Sequence, residues 1–303
     1  MKSDRRQFLA TGAAGLAAAA TFSTATSTAV AKDHFKANVE KAKLRISSQF
    51  RPIPGKTDED KMAQMAKWGI EAVEPWRNVV GKEKEFKKAA DNAGLAVSVV
   101  CYGSTNGDVV SDVVEKRAGG IDNVKRAIEA AGTLGARGVI FVPAFNGQTK
   151  LNCQEIRKIL VDDALPKLGE FAVGHNTTVI LEPLNRKETF FLRQIADAAS
   201  IARDANSPGV CVMGDFYHMT IEETSDMGAF ISGGDRVRHV HLAGRIRKLP
   251  GQDDKRFVDG FRGLKMIGYD GYCSFECGVK GKKEIEVPKA IQFLRDQWSE
   301  ADV

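Results

Sequence analysis

Apolar and polar positions along this chain follow two rhythms that take turns. Short apolar runs of strand character occur at LRISSQF (44–50), IEAVEPW (70–76), LAVSVVCYG (95–103) and RGVIFVP (137–143). They continue at TTVILEP (177–183), GVCVMGDFY (209–217), VRHVHLAG (237–244) and YCSFECG (272–278). Between them lie stretches with the three-to-four-residue spacing of amphipathic helices. In DEDKMAQMAKWG, for example, Met62, Met65, Ala66 and Trp68 share one face. KEKEFKKAADNAG ends at Gly94, placed as a helix terminator. Further helices are predicted over 114–134, 153–173, 190–205, 221–232, 256–268 and 284–298. Gly94, Gly135 and Gly271 each stand just before a strand, where the chain must leave a helix. Eight strands, each followed by a helix, predict an α/β chain folded as a single (β/α)8 TIM barrel. An open doubly wound sheet is the alternative, because periodicity does not reveal ring closure.

The first residues break this pattern. Arg5 and Arg6, with Phe8 and Leu9 behind them, precede an Ala-rich apolar run, and Ala29-Val30-Ala31 supplies a small-x-small cleavage pattern. The arrangement resembles a twin-arginine signal. The apolar run is short and diluted by Thr and Ser, which argues against a stable membrane anchor. The expectation is export through the twin-arginine route to the periplasm or beyond, with cleavage after Ala31. Residues 32–303 then form one barrel domain with no linker or internal repeat.

Composition changes little in this picture. The 303 residues carry a net charge of +5, part of it in Lys2, Arg5 and Arg6 of the leader, too mild a balance to imply nucleic acid or membrane binding. The five cysteines form no CxxC pair and are odd in number, so buried free thiols are expected rather than a disulfide framework.

The candidate chemistry lies at strand ends. In a parallel barrel the C-terminal tips of the strands share one rim, however far apart they are in sequence. The last four strands end in Glu182, Asp215, His241 and Glu276. Each has a plainer role open to it: a loop carboxylate pairing with an Arg, a helix cap, a core histidine, a partner for the lysines at 280–283. Four at corresponding positions of consecutive strands point instead to a cation, since three carboxylates and an imidazole would otherwise repel. O,O,O,N ligation suits a divalent metal, Mn²⁺ foremost, with Mg²⁺, Co²⁺ and Zn²⁺ as alternatives. The first half offers pocket walls: Glu74 and Trp76 end the second strand, Tyr102 the third, and Phe145 and Asn146 follow the fourth. Glu74 reads either as a hydrogen-bonding carboxylate or as a helix N-terminal charge.

The motifs LEPLNRKE (181–188), GDFYHM (214–219), HVHLAG (239–244) and SFECG (274–278) resemble those of the xylose-isomerase-like TIM barrels. That family includes ketose 3-epimerases, hydroxypyruvate isomerases and endonuclease IV. The resemblance is specific over about the last hundred residues and extends to the first half only through the strand–helix rhythm. It implies that Glu182, Asp215, His241 and Glu276 bind a divalent metal and that Glu182 and Glu276 also act as an acid–base pair. It further implies substrate contacts by His218 and Arg247, and a supporting role for Glu188 beside the first glutamate. For Arg247 a solvated loop charge in RIRKLPG is the equal alternative.

The chemistry is consistent with that carry-over. Moving a proton next to a sugar carbonyl creates an ene-diolate, whose charge a metal can stabilise while one carboxylate removes the proton and another returns it. The leading expectation is therefore a divalent-metal-dependent sugar isomerase or epimerase with a small sugar or hydroxy-keto substrate. Three other readings stay open: a lyase acting on 3-keto glycosides or C-glycosides through the same site, a hydroxypyruvate isomerase, and a non-catalytic sugar binder. The nuclease reading is rejected, because the chain has no histidine between His34 and His175 with which to build a multi-metal centre. No Gly-rich turn or basic cluster at the strand ends suggests a phosphate cradle. Whether two barrels pair as a homo-oligomer is left open.

Overall fold

The computed structural model describes Asp33 and residues 36–303, so the predicted export signal lies outside the described residues. Nine strands form its centre: β1 (Arg45–Ser48), β2 (Ala72–Val73), β3 (Ala96–Val97), β4 (Val100–Gly103), β5 (Val139–Phe141), β6 (Val179–Leu181), β7 (Val210–Asp215), β8 (Val237–Leu242) and β9 (Tyr272–Phe275). They pair in the order β3-β2-β1-β9-β8-β7-β6-β5-β4, all in parallel.

The two ends of that order, β3 and β4, are halves of one predicted strand. Ser47 Oγ donates to Ser98 Oγ at 2.8 Å, while Val99 and Cys101 pack with Ile140, Ile180, Cys211 and Met213 inside the barrel. Successive residues turned to the same side break the period of two that a strand requires, so the strand kinks there. The seam still meets: Cys101 N–H donates to Pro75 O at 2.9 Å, and Trp76 bridges Cys101. Pro75 lacks an N–H of its own, which explains why β2 is short where the sequence predicts a run to residue 76. Nine segments thus fill the eight positions of a nearly closed barrel.

Besides the helical residues 36–41, ten helices complete the described fold: α1 (Asp58–Lys67), α2 (Glu83–Asn92), α3 (Val114–Leu134), α4 (Cys153–Ile159), α5 (Leu165–Gly174), α6 (Ile195–Asp204), α7 (Phe216–Glu222), α8 (Asp226–Gly233), α9 (Val258–Met266) and α10 (Lys283–Glu300). Three depart from expectation. The helix predicted over 153–173 is interrupted by a π-helical turn, Leu160–Ala164, just before Pro166, whose missing N–H displaces the hydrogen-bond ladder. The helix predicted from 190 starts only at Ile195, where the Glu223 carboxylate accepts from its backbone N–H at 2.8 Å. The one predicted over 221–232 is two helices, because Ser225 caps α8 through the Gly228 N–H and ends the run from α7. Gly135, at φ 65°, closes α3 in the left-handed conformation that a glycine adopts without steric cost.

Alternation along the strands divides the core into two layers. Val139 and Phe141 of β5, Val179 and Leu181 of β6, and Val210 and Val212 of β7 pack outward against the helices. The residues between them, Ile140, Ile180, Cys211 and Met213, fill the barrel interior. All five cysteines are free, four of them buried and Cys153 exposed. No helix among the described residues is long and apolar enough to cross a membrane.

Candidate metal centre and sugar site

The same alternation places the candidate residues. On β6 it carries the chain from Ile180 to Glu182, and on β7 from Met213 to Asp215, each one step above the apolar interior layer. His239 and His241 follow on β8, and Glu276 stands just past β9. Asp215 is in register with His241, and His241 with Ser274. Ligand atoms of Glu182, Asp215, His241 and Glu276 consequently lie within 4.8 Å of one another. His241 Nδ1 is at the centre, 3.5 Å from Glu182 Oε1, 3.8 Å from Asp215 Oδ2 and 3.4 Å from Glu276 Oε2.

Two of these atoms are left without partners. His241 Nδ1 and Asp215 Oδ2 are buried, and neither has a hydrogen-bond partner among the described residues. Burying such atoms unpaired is costly, and a native chain seldom does so without a ligand to satisfy them. The donor set of three carboxylates and one imidazole fits a divalent cation. Asp215 also fills the plainer role the sequence allowed it. Its Oδ1 caps α7 by accepting from the Tyr217 N–H at 2.7 Å, which holds the carboxylate with Oδ2 turned to the centre.

Behind the ring lies a buried network only partly visible in the sequence. Glu74 accepts from His241 Nε2 at 3.0 Å and from His239 Nε2 at 2.9 Å, so one carboxylate bridges both imidazoles. Gln49 Nε2 donates to Glu74 at 2.7 Å and to Glu276 Oε1 at 3.1 Å. Of the two roles open to Glu74, hydrogen bonding is the one observed. Holding His241 by Nε2 leaves Nδ1 facing the carboxylates, a common way to orient a ligating histidine. His239 and Gln49 were missed. The HVH spacing was the available signal for His239, since residues two apart on a strand face the same side.

The electrostatics are those of a charged cluster in a dry setting. Burial raises the Glu182 carboxyl above its usual range, and His241 only partly offsets this. Burial would also raise Glu74 and Asp215, but adjacent histidines, with Arg247 for Asp215, hold both below the usual carboxylate range. Burial disfavours a charged His241, yet Glu74, Glu276 and their neighbours outweigh it and hold the imidazole well above its ordinary value. His239, by contrast, is lowered by burial despite Glu74.

His218 and Arg247, expected to touch substrate, and Glu188, expected to support the site, stand at the mouth of this ring. His218 is buried, with Nε2 3.5 Å from Asp215 Oδ2, while its Nδ1 accepts from the Asn185 backbone N–H at 3.2 Å. Arg247 reaches across the opening: Nη2 donates to Glu276 Oε2 at 2.7 Å, Nη1 lies 3.4 Å from Glu188 Oε1, and the guanidinium stacks 4.7 Å above the Tyr217 ring. Its backbone is left-handed, φ 54°, a conformation that costs a non-glycine residue energy and that concentrates at functional sites. These contacts set aside the solvated-loop alternative for Arg247. Glu188 bonds Asn185 and Arg247 rather than Glu182 directly. Arg186, from the same loop, turns away and clamps the loop to α7 through two bonds to the buried Glu222. Trp76, Tyr102 and Phe145 line a cavity of about 650 Å³ on the same rim, while Asn146 is exposed beside it.

Comparison with known proteins agrees with this architecture. The family described as xylose isomerase-like TIM barrel matches residues 62–297. The chain is 29% identical over 262 residues to a 3-dehydro-D-guloside 4-epimerase of Escherichia coli (strain K12), covering 83% of this chain and 99% of that protein. It is 30% identical over 142 residues to an L-ribulose 3-epimerase of Methylomonas sp. (strain DH-1), covering 46% of this chain and 49% of that one. The apo crystal structure of an E. coli 3-keto-D-glucoside 4-epimerase superposes with a TM-score of 0.75 at 27% identity, over 84% of this chain and 100% of that one. A D-psicose 3-epimerase of Clostridium cellulolyticum H10, solved with D-tagatose, gives a TM-score of 0.76 over 84% of this chain and 99% of that one. At 18% identity that last likeness speaks to the fold alone.

Proposed function

The chain belongs to the xylose isomerase-like TIM barrel family, and from that premise we propose that it is a divalent-metal-dependent sugar epimerase acting next to the carbonyl of a keto sugar or keto glycoside. Its relatives are sugar epimerases, which are enzymes of the isomerase class. One observation carries the reading: buried, partnerless Asp215 Oδ2 and His241 Nδ1 converge with Glu182 and Glu276 on one point. Glu182, Asp215, His241 and Glu276 would hold the cation. When bound, it supplies Lewis-acid stabilisation of the negative charge that develops on the substrate's adjacent oxygens.

The protein's own groups do the rest. Glu182 and Glu276 stand just past β6 and β9, at different points of the ring, each near His241 Nδ1. One takes the carbon-bound proton and the other delivers a proton to the opposite face, which inverts the centre. Arg247 neutralises Glu276 until substrate displaces it. His218, fixed through Nδ1 by Asn185, presents Nε2 to a substrate oxygen, and the guanidinium of Arg247 orients a second oxygen.

Coverage of nearly the whole length of the guloside epimerase favours a keto-glycoside over a free ketose. Elimination from a 3-keto glycoside starts with the same proton abstraction and is the outcome to distinguish. Export through the twin-arginine route is part of the proposal and rests on Arg5, Arg6 and the Ala29–Ala31 pattern. Mass spectrometry of the protein from the cell envelope should find a chain starting at Lys32. The activity is tested by loading the purified protein with Mn²⁺ in D2O and supplying ketohexoses, hydroxypyruvate or a 3-keto glycoside. Deuterium at the carbon beside the carbonyl, with the carbon skeleton intact, is the expected result. Release of the aglycone would point to the lyase, and metal binding without exchange on any substrate would leave only a binder.

A further inference from the structure

Three cavities on the rim lie side by side and share walls, forming a groove on the side away from the ligand-bearing strands. One, of about 620 Å³, is walled by Phe50, Phe86, Trp76 and Arg77. Trp76 and Arg77 also wall the second, of about 650 Å³, together with Tyr102, Phe145, Asn106 and Gln148. Asn106 and Gln148 in turn border a third, of about 300 Å³, which continues outward between the loops after β4 and β5. Cavities that hold a whole small ligand run roughly from 300 to 1,000 Å³, so this groove is larger than a single reacting sugar ring requires.

Its walls follow the C-terminal tips of β2, β4 and β5, the same end of the barrel as the metal centre. Phe50 follows Gln49, which touches Glu74 and Glu276, and Trp76 is two residues beyond Glu74. Trp76 leaves 47% of its surface exposed at the junction of the first two cavities. Gly103 stands at the mouth beside it, and a Cβ there would meet nothing within 4 Å. The walls are held in place rather than collapsed. Gln148 Oε1 accepts from Ser104 Oγ and from the Phe145 N–H, both at 2.9 Å, and Arg77 Nη1 lies 3.4 Å from Ser104 O. A preformed groove lowers the ordering cost of binding.

The lining identifies the occupant. In the middle cavity aromatic faces stand among amide and hydroxyl groups, which suits a sugar ring with its apolar face and its rim of hydroxyls. Arg77 is the one charged residue there, and the other polar groups are the amides of Asn106, Asn123 and Gln148 and the hydroxyls of Tyr102, Ser104 and Thr105. We infer that the groove holds the non-reacting part of an extended glycoside: a second sugar ring, stacked on Trp76, joined to the ring that reacts at the metal centre. The inference rests on the proposed epimerase reading and narrows its substrate to a keto-disaccharide or longer glycoside.

The test compares deuterium incorporation from D2O into the 3-keto forms of methyl glucoside and of a glucose disaccharide, using the Mn²⁺-loaded protein and its Trp76→Ala variant. The disaccharide should be preferred in kcat/KM by about tenfold, the worth of one good aromatic contact, with the advantage in KM. Trp76→Ala should remove most of that preference. Equal kcat/KM for the two substrates, or an equal loss on both in the variant, would overturn the groove assignment and leave the epimerase reading standing. If neither substrate exchanges, the epimerase reading fails, and calorimetric titration with the unoxidised disaccharide decides the groove alone. Binding that Trp76→Ala weakens would uphold the groove, and its absence would overturn it.

Discussion

Strands β6 to β9 and strands β1 to β5 bring different things to the same rim. From β6 onward the inward positions at the strand tips are Glu182, Asp215, His241 and Glu276, gathered within 4.8 Å. On the other side the tips offer Gln49 and Glu74, whose bonds run back to His239, His241 and Glu276, and then Gly103 with an open space before it. The loops beyond carry Trp76, Tyr102 and Phe145 around a cavity. One half collects charge that needs a cation. The other supports that charge from behind and leaves room in front of it. Chemistry and substrate reach are thus assigned to different strands of one barrel, which allows the loops to change without disturbing the ligands.

The sharpest way to break this division is to remove a proton-transfer group. Glu182→Gln or Glu276→Gln should lower deuterium exchange by about 10²–10⁴-fold, the usual worth of a positioned acid or base, while disaccharide titration still reports the groove. If both variants exchange at the wild-type rate, the acid–base assignment is wrong. A smaller effect is expected where the two halves meet. Glu74→Gln should weaken metal affinity by about 10–100-fold in a Mn²⁺ titration, since the bridge that orients His241 is impaired, with kcat largely restored at saturating metal. Unchanged affinity would remove Glu74 from the centre.

Acid should separate the halves further. His241 and Glu182 both hold their protons more tightly than free side chains do, so an entering cation must displace them. A raised pKa means the group is still protonated at a pH where it would ordinarily be free. Metal affinity should therefore fall as pH falls, by about tenfold per pH unit for each proton displaced, as calorimetry in buffers of different ionisation enthalpy would measure. The disaccharide affinity of the groove should stay flat over the same range. The mildest effect is the one assigned to Trp76→Ala, about tenfold and confined to the extended substrate.

Much of the chemical half could be read from the chain before its structure. Strand periodicity carried Glu182, Asp215, His241 and Glu276 to one rim because each ends an apolar run, and a period of two leaves little choice of side. The supporting half was less legible for physical reasons. Gln49 and Glu74 work through partners about 25 to more than 200 residues away in the chain, a relation no local pattern encodes. His239, between Arg238 and Val240, looked like any inward residue of a strand. The kink at Ser98 and Val99 arises where the pleat slips by a residue, and an unbroken apolar run such as LAVSVVCYG conceals such a slip. The helix breaks at Pro166 and Ser225 were visible as residues, but the periodicity on either side of them was continuous enough to mask their effect. The groove depends on which loops meet across the rim, and only ring closure determines that.

The central claim is that the ring exchanges a proton with a sugar carbon beside a carbonyl while a metal is bound there. Nuclear magnetic resonance of a 3-keto glycoside incubated in D2O with the Mn²⁺-loaded protein, quenched and freed of metal before observation, tests it most directly. The account predicts deuterium at the carbon next to the carbonyl and the appearance of the second epimer, both lost after chelation and restored by added metal. Deuterium incorporation and epimerisation that persist at full rate in the chelated protein, or substrate recovered unlabelled from fully metal-loaded protein, would contradict it.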